Sequence, residues 1–125
     1  MKVKDCEIKD YVTALKNENI FDVAKKLGYN KSIIVLDENN KPVGIITAMD
    51  LVRRVLVAGK DPGKTLAEEV MTSPVVTAKL DDDVRKVVDV MLKNDFLTLP
   101  VVDGNDKFTG VISVYDVVSV LKKNE

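Results

Sequence analysis

Gly44-Ile45-Ile46-Thr47-Ala48-Met49-Asp50 is echoed 66 positions later by Gly110-Val111-Ile112-Ser113-Val114-Tyr115-Asp116. Glycine, two apolar residues, a hydroxyl residue and an aspartate fall at the same places in both stretches, which marks an internal repeat. The same offset pairs Asp37 with Asp103, Val35 with Val101 and Ser32 with Thr98, carrying the similarity upstream through a second apolar run. Further upstream the offset becomes 64, pairing Val12-Thr13 with Val76-Thr77, Ile20 with Val84 and Leu27 with Met91. The second copy therefore carries two extra residues after its first helix. The loop-like compositions of 28–30 and 93–95 are where that insertion is expected.

The copies run over 6–57 and 70–121, with 58–69 as a connector holding a short helical turn from Thr65. Each reads strand, helix, strand, strand, helix. In the second copy 75–78 is a short β-branched run. Asp81-Asp82-Asp83 then opens an apolar stripe of Val84, Val87, Val88, Met91 and Leu92 at helical spacing. Three aspartates suit a helix N-terminus better than a metal site, because no other ligand cluster lies nearby in sequence. Strands at 97–102 and 108–112 flank the turn Asp103-Gly104-Asn105-Asp106, and 33–36 and 43–46 repeat this around Asp37-Glu38-Asn39-Asn40. Helices over 49–57 and 114–121 follow the third strands. The expected fold is α/β (α+β), two tandem β-α-β-β-α repeats packed about a pseudo-two-fold axis, since one copy alone cannot bury both faces of its sheet.

The totals exclude several classes. The chain has 125 residues, 46% hydrophobic and 31% charged, as ordinary globular domains do. A formal net charge of −1 gives no broad electrostatic footprint for nucleic acid or an anionic membrane. No apolar stretch approaches the ~18 residues of a membrane span, and the start lacks a signal-like apolar core, so a cytoplasmic location is expected. Cys6 is the single cysteine and is read as a small apolar filler. Without histidine, a nucleophile elbow or separated acids facing a shared cleft, no catalytic activity is expected. The segment ending Gly63-Lys64-Thr65 mimics a phosphate-binding loop, but Ala58 stands where its first glycine belongs and a helix precedes it. Arg53, Arg54, Lys60 and Lys64 read as a solvated edge.

A hydroxyl residue followed three positions later by an acid, at a strand-to-helix junction, has two readings. It is a capping box, although the usual partner at the third helical position is glutamate or glutamine and the shorter aspartate is more easily left pointing outward. It also suits a nucleotide, with phosphate at the helix start beside Thr47 or Ser113 and a ribose diol on the aspartate.

At this point the chain resembles the tandem cystathionine-β-synthase (CBS) domain pair, also called a Bateman module, over nearly its whole length. The carrying residues are the two Gly-to-Asp stretches and the opening Met71-Thr72-Ser73-Pro74. The resemblance implies ribose contacts at Asp50 and Asp116 and phosphate contacts at Thr47 and Ser113. It completes the Asp50 cleft with Thr72, Pro74 and Val76, with Ile45, Leu97 and Thr98 nearby. The Asp116 cleft would gain Ile8, Asp10 and Val12, with Val111, Lys31 and Ser32 nearby. Ile8 and Asp10 depart from the threonine and proline of the pattern, removing a hydroxyl and adding a carboxylate that Lys31 could offset, so tighter binding is expected at Asp50.

The implied function is a regulatory sensor without catalytic activity that binds AMP, ADP or ATP in clefts between the repeats, the nucleotide being a regulatory ligand and not a cofactor. Alternatives are an S-adenosylmethionine binder, or a dimerisation and interaction module with vestigial clefts. Partners implied are an effector protein and a second copy of the chain, docked through the helices after the third strands. Leu51, Val55, Val117 and Val120 then lie either at that interface or in the core.

Overall fold

A computed structural model describes residues 1–123. It is a mixed α+β structure with two three-stranded sheets of identical topology. The strands and helices are β1 (Thr13–Leu15), α1 (Ile20–Leu27), β2 (Ser32–Leu36), β3 (Pro42–Thr47), α2 (Ala48–Leu51), α3 (Ala67–Val70), β4 (Ala78–Lys79), α4 (Val84–Asn94), β5 (Thr98–Val102), β6 (Phe108–Ser113) and α5 (Val114–Lys123). Helix α2 runs on into a π-helical segment, Val52–Leu56, and a 3₁₀ turn spans Val3–Asp5. In each sheet the first strand pairs parallel with the second, and the second antiparallel with the third.

The chain forms two compact units. One is contiguous, Tyr11–Val75; the other is split, combining Met1–Asp10 with the chain from Val76 onward. The contiguous unit buries Ala14, Ile20, Val23, Leu27, Ile33, Val35, Ile46, Ala67 and Val70. The split unit buries their counterparts Ala78, Val84, Val87, Met91, Leu99, Val101, Ile112, Val3 and Cys6. The repeat thus reaches upstream to a lead segment, where Ile20 N–H donates to Thr65 O at 2.8 Å and Val84 N–H to Met1 O at 2.9 Å. Cys6 packs where the other unit has Val70, as an apolar filler should. Leu51, Val55, Val117 and Val120 all pack on the core of their own unit, Val55 and Val117 buried and Leu51 and Val120 partly so.

The hairpins match atom for atom. Asp37 Oδ1 accepts the amides of Asn39 and Lys41, and Asp103 Oδ1 those of Asn105 and Lys107, all within 3.0 Å. Asn40 and Asp106 take the left-handed φ values, 63° and 62°, that close each turn. The inserted residues differ from expectation. They prolong α4 through Leu92, Lys93 and Asn94 before Asp95 ends it at φ 56°, whereas α1 stops at Leu27 and is ended by Gly28 at φ 49°. Good helix formers made this an extra turn of helix and not a longer loop. Residues 75–77 also stay outside β4, which is only Ala78–Lys79.

In the acidic run Asp83 caps α4 by accepting the Arg85 amide, Asp82 accepts the Lys79 amide, and Asp81 faces Lys2 and Lys4. Around 58–65 the backbone folds about Asp61, whose carboxylate takes the Gly63 amide and whose carbonyl takes the Thr65 hydroxyl. Those groups are thereby spent within the turn.

Each third strand gains one antiparallel bridge to the lead segment. Ile45 and Thr72 exchange backbone hydrogen bonds of 3.1 and 2.9 Å, and Val111 and Lys9 exchange two of 2.9 Å. The glycine before each bridge makes room. A Cβ on Gly110 would lie 2.6 Å from Lys9 O, and its φ of +147° disfavours a side chain; a Cβ on Gly44 would meet the flexible Met71 side chain. Gly110→Ala is therefore expected to cost about 1–3 kcal/mol. Gly44→Ala should cost clearly less, because Met71 can yield; urea unfolding of both variants checks the order.

Candidate functional site

The end of β3 and the start of α2 are held by reciprocal bonds between Thr47 and Asp50. Thr47 N–H donates to Asp50 Oδ2 at 2.8 Å, and Asp50 N–H donates to Thr47 Oγ1 at 3.1 Å. In the split unit Ser113 N–H donates to Asp116 Oδ2 at 2.9 Å and Asp116 N–H to Ser113 Oγ at 3.2 Å. Both motifs are thus closed capping boxes, and the expectation that the short aspartate points away is corrected. The strand-end amide lies close enough to the first helical turn for a one-carbon stem to reach it.

Closing the box uses only Oδ2. The second oxygen meets a cation, from a different source in each unit. Asp50 Oδ1 lies 3.8 Å from Arg54 Nε, one turn along the helix. Arg54 is no free edge charge, because its Nη1 donates to Val70 O at 2.8 Å and Met71 O at 3.1 Å, tying the helix to the segment that carries Thr72. Asp116 Oδ1 lies 3.4 Å from Lys9 Nζ, with the carboxylate side chain only 8% exposed against 17% for Asp50. Burial pushes the Asp116 carboxyl up, but the Ser113 amide and hydroxyl and the Lys9 ammonium outweigh it and hold the group below its ordinary range. Burial, then the negative charges of Asp116 and Asp5, push the Cys6 thiol up, consistent with an inert core residue.

The hydroxyls differ as well. Ser113 Oγ donates its hydrogen to Asp116 Oδ2 at 2.9 Å. Thr47 Oγ1 accepts from the Asp50 amide, and no acceptor for its own hydrogen is found among the described residues. Thr47 keeps a donor that Ser113 has spent.

Ile45, Thr47, Asp50, Thr72 and Pro74 gather in the contiguous unit, with Thr72 bridged to Ile45 and Pro74 following a cis peptide. Val12, Lys31 and Ser32 also belong to this unit, where Ser32 stands opposite Thr47 in the β2–β3 register and its hydroxyl bonds the Tyr11 hydroxyl at 2.6 Å. Val111, Ser113, Asp116 and Ile8 gather in the split unit with Val76, Leu97 and Thr98, Thr98 standing opposite Ser113. The alignment of Ile8 with Thr72 shifts by one residue. Lys9 makes the bridge that Thr72 makes, and Ile8 lies against Gly110 as Met71 lies against Gly44. Glu7 is the extra residue that sets this register. Sequence reasoning missed Lys9 for that reason, having looked to Lys31 for a compensating cation. Only strand pairing reveals the shift.

Among the described residues no helix is long and apolar enough to cross a membrane. The CBS domain family model matches residues 3–57 and again 67–123. An uncharacterised protein of Methanopyrus kandleri is 32% identical over 114 residues, 90% of this chain and 58% of its own length, so the chain spans little more than half of that relative. A CBS domain pair solved in complex with 5′-methylthioadenosine and S-adenosyl-L-methionine is 31% identical with a TM-score of 0.73, covering all of this chain and 98% of the other. The cytosolic domain of the Mg2+ channel MgtE, solved in complex with ATP, is 29% identical with a TM-score of 0.73 over 88% of this chain and 44% of the other. With two family matches laid over two copies of one fold, the chain belongs to the CBS domain family and is a tandem CBS pair, a regulatory module.

Proposed function

We propose that this CBS pair is a sensor of an adenosine nucleotide of the AMP, ADP or ATP type, with its stronger site at Thr47 and Asp50. The observation that carries this reading is the division of labour within the capping box. Asp50 is fixed by one oxygen while the other meets only a guanidinium nitrogen at 3.8 Å, beyond hydrogen-bonding distance. That oxygen suits a ribose diol, the uncommitted Thr47 hydroxyl suits a phosphate oxygen, and Ile45 supplies apolar surface for a base. The complex of a 31%-identical CBS pair with S-adenosyl-L-methionine supports a second reading, in which the ribose contact is kept and the tail is a sulfonium amino acid. Signal output would require a partner whose affinity differs between the liganded and free states. No part of the reading needs a catalytic group. We place the protein in the cytoplasm.

Purified protein and its Asp50→Ala variant are expected to separate in thermal unfolding with AMP, ADP, ATP or S-adenosyl-L-methionine. Ligand at about a hundred times Kd adds roughly 2.7 kcal/mol, a rise on the order of 10 °C for a domain of this size. The rise belongs to the wild type alone. An equal rise in the variant, or none with any compound in the wild type, removes the Asp50 assignment.

Lys9 should make Asp116 the weaker site, because a diol must compete with an ammonium for Oδ1. Its pH behaviour follows from the depressed carboxyl. The stabilisation it contributes is present above the unfolded value of about 3.9 and is lost as pH falls through the lower folded value. Lys9→Met is expected to raise the Asp116 carboxyl in an NMR titration and to flatten the loss of stability below about pH 4.

The helices after the third strands expose Met49, Val52 and Leu56 in one unit and Tyr115 and Val118 in the other, with Leu56 at 74% and Tyr115 at 79%. These positions, spaced three to four residues apart, form apolar stripes suited to a second copy of the chain. A dimer in sedimentation that becomes monomeric in Val52→Glu/Leu56→Glu is the expected result; a monomeric wild type rejects it.

A further inference from the structure

A cavity of about 290 Å³ lies in the split unit at the free edge of its sheet, between β4 and α4, and none of the groups discussed above as nucleotide contacts line it. Its polar wall consists of Thr77, Lys79, Asp82 and Lys86, and its floor of Val87, Val90 and Leu99. The volume sits at the bottom of the range of ligand pockets, which limits an occupant to a small metabolite.

The other copy shows why the cavity is here. Sixty-four positions upstream, Glu18, Asp22 and Lys26 stand where Asp82, Lys86 and Val90 stand. Glu18 Oε2 accepts the Leu15 amide as Asp82 Oδ2 accepts the Lys79 amide. Lys26 then reaches back along α1 and pairs with Glu18 at 2.8 Å, so that the acid there has a cation from its own copy. In the second copy Val90 has no charge to send back. Asp82 Oδ1 is left without an ion-pair or hydrogen-bond partner among the described residues, and so are the Lys86 ammonium and the Thr77 hydroxyl. Lys79 has only a 4.0 Å approach to Asp106, an exposed pair that leaves it available.

We infer that this cavity binds an aliphatic α-amino acid. Its carboxylate would be taken by Lys79, Lys86 and the Thr77 hydroxyl, its ammonium by the open oxygen of Asp82, and its side chain by Val87, Val90 and Leu99. A simple carboxylate is a poorer match, because it would engage the two lysines but leave the open oxygen of Asp82 without a donor. An alkyl amine is poorer still, since two lysines would face an ammonium. The zwitterion with an apolar body satisfies every charged group on the wall.

Backbone amide NMR titration of the full chain tests this with leucine, 4-methyl-2-oxopentanoate and isobutylamine as probes. Leucine at about 10 mM, ten times a millimolar Kd, is expected to give saturable shifts within 77–90 and at Leu99. The oxo acid and the amine should bind at least about tenfold more weakly. Val90→Lys, which places a lysine where the first copy has Lys26, should abolish the leucine shifts in a protein whose amide spectrum remains that of the folded chain. Lys86→Gln provides a second, milder variant with the same expected direction. Absence of saturable leucine shifts, binding of the oxo acid as tight as leucine, or undiminished leucine binding by a folded Val90→Lys protein would each overturn the proposal. Because the nucleotide reading is tested by Asp50→Ala and adenosine compounds, either can fail alone.

Discussion

Everything in this fold hangs on an exchange of lead segments between the two copies. Ala67 and Val70 complete the core around Ile20, Val23 and Ile46, although they lie closer in sequence to the second copy. Val3 and Cys6 do the same for Val84, Val87 and Ile112 from the far end of the chain. Each exchange is anchored by a two-way backbone bridge beside a glycine, Ile45 with Thr72 and Val111 with Lys9. Without its lead segment a unit would lose two buried side chains, and α1 or α4 would lose the carbonyl that accepts the amide of its first residue. The bridges also set what stands beside each aspartate, since they decide whether Thr72 or Lys9 flanks the third strand.

The strand-to-helix junction shows how one carboxylate can serve structure and recognition together. Oδ2 joins strand end to helix start in both units, and that bond fixes the position of Oδ1. A binding group held this way loses little conformational freedom when a ligand arrives. Near-identical boxes are then differentiated by neighbours outside the motif. Arg54 comes from within the same helix and is shared with the carbonyls of Val70 and Met71, whereas Lys9 comes from the lead segment and is directed at Asp116.

Much of the architecture was legible because repetition amplifies weak signals. The hairpin aspartates and the apolar stripes of α1 and α4 recur at fixed offsets and fold as read, except that Leu92, counted in the α4 stripe, is 66% exposed. Two kinds of detail were not legible. The first was the fate of small insertions, since the residues after Met91 extend a helix and Glu7 shifts a bridge by one; both depend on backbone register, which composition does not encode. The second was the use of polar groups. Asp50 and Asp116 close their boxes despite their short stems, and Arg54 bonds two carbonyls, because tertiary approach supplies partners that spacing alone cannot foresee.

The unequal continuity of the two units bears on the order in which they assemble. Residues 11–75 are one uninterrupted stretch whose core residues and bridge all lie within it. The other unit must bring Val3 and Cys6 to partners beyond Val76, closing a loop as long as its counterpart's whole sequence. Loop closure of that kind is slow and comes late, whereas nearby contacts form early. During synthesis the contiguous unit has all of its parts once Val75 has emerged, while the first ten residues wait for the last helix. The pairing of Lys9 with Val111 and Asp116 is then among the last contacts made, so the asymmetry between the two boxes is also an asymmetry in time.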